Sequence, residues 1–288
     1  MALSYISPTA LRSFITSALA EDIGEGDHTT QGAVPEDVQA SARLLVKADG
    51  VIAGLELTEK IFTHIDPKLK INFFKKDGDE IRKGDEAFIV QGPAQSILSG
   101  ERLVLNCLQR MSGIATYTRK LCGLIVGTTA QVMDTRKTTP NFRMMEKWAV
   151  TIGGGMNHRF ALYDMVMLKD NHVDLAGGIK NAITNTKKYL KEKNKNLRIE
   201  IETRSLEEVD QVLVTGGIDI IMLDNMSIDY MKEAVRRING RYKIEASGGI
   251  TEANLRAVAE CGVDYISIGA LTHSVKSLDL SLKVILSQ

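Results

Sequence analysis

The sequence predicts an α/β protein: an incomplete parallel α/β barrel of about six strands, preceded by a smaller N-terminal α+β sandwich domain. Three observations lead there. After Gly127, six short apolar runs recur at residues 130–134, 164–168, 197–202, 218–223, 242–246 and 263–268, most of them separated by helical segments. Strands and helices that alternate with right-handed crossovers build a parallel sheet. Six such units are too many for a flat sheet with one bare side and fewer than the eight of a full barrel; an open doubly wound sheet is the alternative. Before about residue 95 the pattern is instead strand-like alternation broken by Asp-Gly and Lys-Gly-Asp turns, the mark of a separate antiparallel unit.

Taken in order, Ser7 reads as an N-cap with Pro8 in the first turn of an amphipathic helix over TALRSFITSALAED. Residues 38–53 and 70–91 read as strands, with a short helix from Glu56 to His64 between them. From 96 to 125 apolar residues at helical spacing (Ile97, Leu98, Leu103, Val104, Leu108, Met111) predict a long helix, interrupted at Gly113, that bridges two domains. The sandwich domain is expected at residues 1–115 and the barrel at 116–274, with a tail of about 275–288 packing back on the first domain.

With 44% hydrophobic and 25% charged residues and only five prolines, the composition is that of an ordinary globular protein. Its 36 Lys and Arg are balanced by 36 Asp and Glu, so no global basic field holds it on nucleic acid or on a membrane. Any anion site must be built locally. No run approaches a membrane span and the first thirty residues lack a signal-peptide pattern, which makes the cytoplasm the expected location. Cys107, Cys122 and Cys261 lie far apart in apolar sequence and are expected to be reduced packing residues.

In a parallel barrel the loops at the carboxyl ends of the strands converge on one face. The residues that follow the six runs are Asp134-Thr135-Arg136-Lys137, Lys169-Asp170-Asn171-His172, Glu202, Asp224-Asn225, Ser247-Gly248-Gly249 and Gly269-Ala270. Strands that each close on a charge or a glycine turn predict a site on that face. Between 136 and 169 lie Arg136, Lys137, Arg143, Lys147, His158, Arg159 and Lys169, several of which must converge on one anion-rich ligand. Arg143 and Lys147, on the expected helix after Pro140, are equally readable as surface charges.

Gly153–Gly155 allow close approach of a ligand or positive φ. No compact ligand spacing surrounds His158 or His172, so zinc is not expected. EASGGIT (245–251) and SIGALTHS (267–274) put glycines after two successive strands, an arrangement in which backbone N–H groups cradle a phosphate. Glu202 and Asp224 could coordinate magnesium, directly or through water, or accept ribose hydroxyls. Glu200 shares a strand face with Glu202 and could be a buried structural partner.

MDTRKTTP (133–140), GGGMNHRFALYDMVMLKDNH (153–172), IEIE (199–202), IMLDNM (221–226), EASGGIT and SIGALTHS closely resemble the quinolinate phosphoribosyltransferases, and the likeness extends to EDIGEGDHTT (21–30) and GERLVLNCLQRMSGIAT (100–116). The resemblance implies transfer of phosphoribosyl from phosphoribosyl pyrophosphate to quinolinate, with decarboxylation, in NAD synthesis. It implies magnesium as cofactor and a homodimer with shared active sites, alone or within a higher assembly. By matching motif, Arg136, Arg159, Lys169 and nearby His158 resemble the residues that hold quinolinate, and Arg102 one supplied by a partner subunit. Lys137, Glu202, Asp224, the turn Ser247-Gly248-Gly249 and the segment Ser267-Ile268-Gly269-Ala270 look like the phosphoribosyl pyrophosphate side; Thr135 and His273 stand in the same motifs. Lys137, Lys169, Glu202 and Asp224 are the expected catalytic set. Asn141 and Ala161 replace glycines of the pattern; asparagine tolerates the left-handed conformation, and Ala161 puts only local loop geometry in question. A phosphoribosyltransferase with another substrate (nicotinate, or that of a paralogue associated with molybdate uptake) and a non-catalytic phosphate-ligand sensor are the rival readings.

Overall fold

A computed structural model describes residues 5–285, which divide into two compact units: residues 5–119, 138–154 and 271–285, and residues 120–137 with 155–270. In chain order the elements are α1 (Pro8–Ile23), α2 (His28–Ala33), β1 (Gln39–Val46), β2 (Gly50–Val51), α3 (Leu55–Ile65), β3 (Lys70–Phe73), β4 (Glu80–Ile81), β5 (Glu86–Pro93) and α4 (Ala94–Leu124). Then come β6 (Gln131–Met133), α5 (Arg143–Ile152), β7 (Val166–Leu168), α6 (Asp170–Leu175), α7 (Ile179–Glu192), β8 (Ile199–Thr203), α8 (Leu206–Thr215) and β9 (Ile220–Asp224). The chain closes with α9 (Ile228–Ile238), β10 (Lys243–Ser247), α10 (Leu255–Ala259), β11 (Tyr265–Ser267), α11 (Ala270–His273) and β12 (Leu280–Ile285).

In the first unit an antiparallel sheet runs β12-β1-β5-β3, beside a small β2-β4 pair. Period-two burial builds its core: Ala42, Leu44 and Val46 of β1 and Phe88 and Val90 of β5 point inward. Phe62 of α3 meets Phe88 edge-on, ring centroids 6.5 Å apart. Ser7 caps α1 by accepting the Ala10 N–H, with Pro8 in the first turn. The helix α4 is continuous, which corrects the break expected at Gly113. A Cβ there would lie 2.3 Å from the Lys276 carbonyl oxygen. The residue is glycine because another chain segment passes close, and the helix tolerates it.

The second unit is the six-stranded parallel sheet, order β6-β11-β10-β9-β8-β7. Each strand pairs with its neighbour in sequence except at one seam: β11 pairs with β6, and β6 does not pair with β7. That is a barrel left open at one joint. At the seam Met156 forms an isolated parallel bridge with Met133, so residues 155–157 line the free edge of β6. All five residues of β8 are buried, as strands covered on both faces require. Ser205 and Ser227 cap α8 and α9 by accepting the N–H groups of Glu208 and Tyr230. No helix among the described residues is long and apolar enough to cross a membrane.

Candidate active site

Strand parity places the acids. Glu200 and Glu202 share one face of β8, and the register sets Glu202 level with Met222, Met222 level with Glu245, and Asp224 level with Ser247. Lys169, directly after β7, brings its ammonium within 3.7 Å of Glu202 Oε2. Burial, then the charge of Asp224, raises the Glu202 carboxyl above its ordinary pKa, while Lys169 opposes them. Asp224 Oδ2 accepts the Asn225 side-chain amide at 2.7 Å. Asn225 holds φ +54° and donates its main-chain N–H to the Ser247 carbonyl at 2.9 Å. A Cβ on Gly248, at φ +86°, would lie 2.3 Å from Asn225 Oδ1. Asp224, Asn225 and the Ser247-Gly248-Gly249 turn are therefore one rigid piece.

The cations form a second piece. Arg159 is 9% exposed, and one of its terminal nitrogens donates to the Met165 carbonyl at 3.1 Å. Its Nε is buried with no protein partner, and so is Nε of Arg136. Burial, then the like charge of Arg136, lowers the pKa of Arg159. Two guanidiniums in mutual repulsion, each with a buried orphan donor, are an arrangement that an anion completes.

Between the two pieces of this unit lies His158. Asp134, fully buried at the end of β6, accepts the His158 main-chain N–H at 2.9 Å and the Asn157 amide at 2.6 Å. The ring's Nδ1 lies 2.7 Å from the Arg159 main-chain nitrogen. Nε2 lies 2.9 Å from Glu200 and 3.3 Å from Glu245, both fully buried. Neither approach has linear hydrogen-bond geometry, so charge and proximity hold the cluster. Burial disfavours an imidazolium, but the two glutamates outweigh it and raise the ring to about 10; burial and Glu245 raise Glu200 to about 7. The cluster thus holds protons tightly. The Arg159 N–H points at Nδ1, which makes that nitrogen the acceptor and leaves Nε2 to carry the ring proton, and the raised proton affinity belongs to the three groups together. Three such side chains with ligand atoms within 4.8 Å have the make-up of a cation site. A metal on Nε2 would require the ring proton on Nδ1, where the Arg159 N–H stands.

Of the other expected residues, Thr135 Oγ1 accepts the Lys137 N–H at 3.0 Å, and Lys137 is exposed. Ser267 and Ile268 are buried, Gly269 and Ala270 half-buried, and the Ile268 N–H donates to the Met133 carbonyl at 2.9 Å. Arg102, exposed on α4, and His273, exposed on α11, belong to the first unit. So do Arg143 and Lys147. Lys147 is fully buried, and Arg143 is half-buried and donates to Thr138 Oγ1 at 3.0 Å. Of the three glycines, Gly153 is a packing residue, since a Cβ would lie 2.6 Å from the Ala115 carbonyl oxygen, and Gly154 adopts φ +97°. Asn141 takes φ +61°, whereas Ala161 has no positive φ. The sequence marks Asp134 only as a strand end and Glu245 only as part of EASGGIT, with no role of its own for either. Nor does it single out Glu146, fully buried, which accepts two Arg110 donors and both the N–H and hydroxyl of Thr139. A lone acid inside an apolar run, as in YKIEA, is the signal that finds such residues.

Residues 27–112 match the family described as quinolinate phosphoribosyl transferase, N-terminal domain, and residues 114–283 match its C-terminal domain. The chain belongs to the quinolinate phosphoribosyltransferase family. It is 47% identical to a chloroplastic nicotinate-nucleotide pyrophosphorylase (carboxylating) of Arabidopsis thaliana, over 95% of this chain and 82% of the relative. It is 43% identical to a probable nicotinate-nucleotide pyrophosphorylase of Bacillus subtilis, over 96% and 94%. The crystal structure of NadC from Streptococcus pyogenes superposes with a TM-score of 0.92 at 38% identity, covering 98% of this chain and 99% of that one. The family fits the open six-stranded parallel sheet of one unit and the four-stranded antiparallel sheet of the other.

Proposed function

We propose that this family member transfers the phosphoribosyl group of phosphoribosyl pyrophosphate to the ring nitrogen of quinolinate, releasing pyrophosphate and carbon dioxide and forming nicotinate mononucleotide for NAD synthesis. The observation that carries this reading is the Arg136–Arg159 corner, with its two buried, unpartnered Nε donors. A pyridine with adjacent carboxylates offers the paired anions that two planar guanidiniums bind. Held there, with Lys169 beside it, the ring nitrogen is presented to the anomeric carbon, and orientation supplies much of the rate. Attack forms the nitrogen–carbon bond as the carbon–pyrophosphate bond breaks. The ribosylated nitrogen is cationic, so it stabilises the electron pair left on the neighbouring carbon when the carboxylate departs as carbon dioxide; a proton then fills that position. A water-poor pocket favours this loss of charge.

Glu202 and Asp224, with the Ser247-Gly248-Gly249 and Gly269 turns, form the phosphoribosyl end. Magnesium fits the two acids: each is an oxygen ligand, and the charge of Asp224 already strains Glu202 toward protonation. Bound there directly or through water, it would offset charge on the departing pyrophosphate. Cys107, Cys122 and Cys261 form no disulfide among the described residues, which suits a reducing compartment such as the cytosol. Exposed Arg102 suits a homodimer in which α4 lends a cation to the partner's pocket. Incubation with quinolinate, phosphoribosyl pyrophosphate and magnesium should yield nicotinate mononucleotide and carbon dioxide in equal amounts; product without carbon dioxide would reject the reading. The shared site has its own check: re-equilibrated Arg102→Ala and Lys169→Ala chains should recover roughly a quarter of wild-type activity, because about half the dimers are mixed and each has one intact pocket. No recovery despite proven subunit exchange would place Arg102 in its own chain's site.

A further inference from the structure

We propose that Glu245, with Glu200, is a positioning residue for this reaction: the two carboxylates grip the Nε2 edge of the His158 ring from β10 and β8, and through that ring hold the Arg159 main chain behind the substrate carboxylates. The inference rests on reading Arg136 and Arg159 as the quinolinate pocket. His158 is fastened on three sides. Its main-chain N–H goes to Asp134, its Nδ1 takes the Arg159 N–H at 2.7 Å, and its Nε2 faces Glu200 at 2.9 Å and Glu245 at 3.3 Å. Both ring nitrogens thus face protein groups, and the ring acts through Arg159.

Two fully buried glutamates whose four oxygens lack a hydrogen-bond donor are costly in a barrel core. An apolar pair would serve packing as well. What an apolar pair could not do is orient the imidazole or oppose the repulsion between Arg136 and Arg159, which the negative charge of Glu200 partly offsets at Arg159. If Glu245 were only a core residue, its loss would affect the two substrates alike.

Four variants and one spectrum test this: Glu245→Ala, Glu245→Gln, Glu200→Gln and, as the reference for the pocket, Arg159→Ala. Glu245→Ala should raise KM for quinolinate at least tenfold and leave KM for phosphoribosyl pyrophosphate within twofold. Glu245→Gln and Glu200→Gln, which keep an acceptor oxygen, should return quinolinate KM to within about threefold of wild type. If Arg159→Ala spares quinolinate, the pocket reading itself fails; if Arg159→Ala is selective but a folded Glu245→Ala is not, only the positioning role fails. Should Glu245→Ala not fold, ring-nitrogen NMR of the wild-type protein decides: a His158 ring with its proton on Nε2 and a bare Nδ1 is expected, and a proton on Nδ1, alone or in an imidazolium, would overturn the proposal.

Discussion

Arg159 and Arg204 belong to the same barrel unit, and folding treats them in opposite ways. Arg204, 43% exposed on its side chain, gives its donors to Asp174 and Glu208 at 2.7–3.1 Å, and these contacts raise its pKa. Arg159 is 9% exposed, faces the like charge of Arg136 and keeps its Nε unpaired. An exposed ion pair gains little, because water already satisfies both partners. A buried guanidinium without an anion costs several kcal/mol, on the order of 3–5 when its partner is missing. Such a group persists where a ligand supplies the anion. The cations that matter for function are therefore those the fold leaves uncompensated.

The sharpest way to break this contrast is to supply half the anion. Nicotinate has one carboxylate, so part of the cation corner stays buried and unpaired, and its kcat/KM should fall on the order of 10⁴-fold below that of quinolinate. Steady-state rates with the two pyridines settle it, and comparable turnover would undo the substrate assignment. Arg136→Ala comes next, lowering quinolinate kcat/KM by roughly 10²–10³-fold, about 3–4 kcal/mol for loss of a buried charged contact. Gly248→Ala probes the acidic end: its Cβ would meet Asn225 Oδ1 at 2.3 Å with φ held at +86°. It should raise KM for phosphoribosyl pyrophosphate about tenfold and cost about 1–3 kcal/mol in thermal denaturation. Arg204→Ala should change neither KM nor kcat by more than about twofold, with a small loss of melting temperature that shrinks in molar salt.

Much of the barrel was legible because its signals are local. Each of the six apolar runs became a strand of the parallel sheet, and the charge or glycine after each run marks a strand end. That rule is what singles out Arg136, Lys169, Glu202 and Asp224 as candidates. What stayed hidden depends on partners remote in sequence. Glu245 sits inside an apolar run and acquires its neighbour only when β10 comes near the segment at 158. Asp134 looks like a strand terminator until the chain at the seam returns to it. Gly113 and Gly153 read as a break and a ligand approach, but both are glycine because a backbone carbonyl lies where a Cβ would be. Lys147, which sequence spacing left open between surface and site, is fully buried.

The contrast between paired and unpaired arginines is tested most directly by equilibrium calorimetry of quinolinate and of phosphoribosyl pyrophosphate on wild type and Arg159→Lys. Lysine keeps the charge but loses the planar fork. Quinolinate affinity should fall roughly 30-fold, about 2 kcal/mol, while phosphoribosyl pyrophosphate affinity stays within about twofold. An equal loss for both ligands, or an unchanged affinity for quinolinate, would contradict the assignment of the Arg136–Arg159 corner to the pyridine carboxylates.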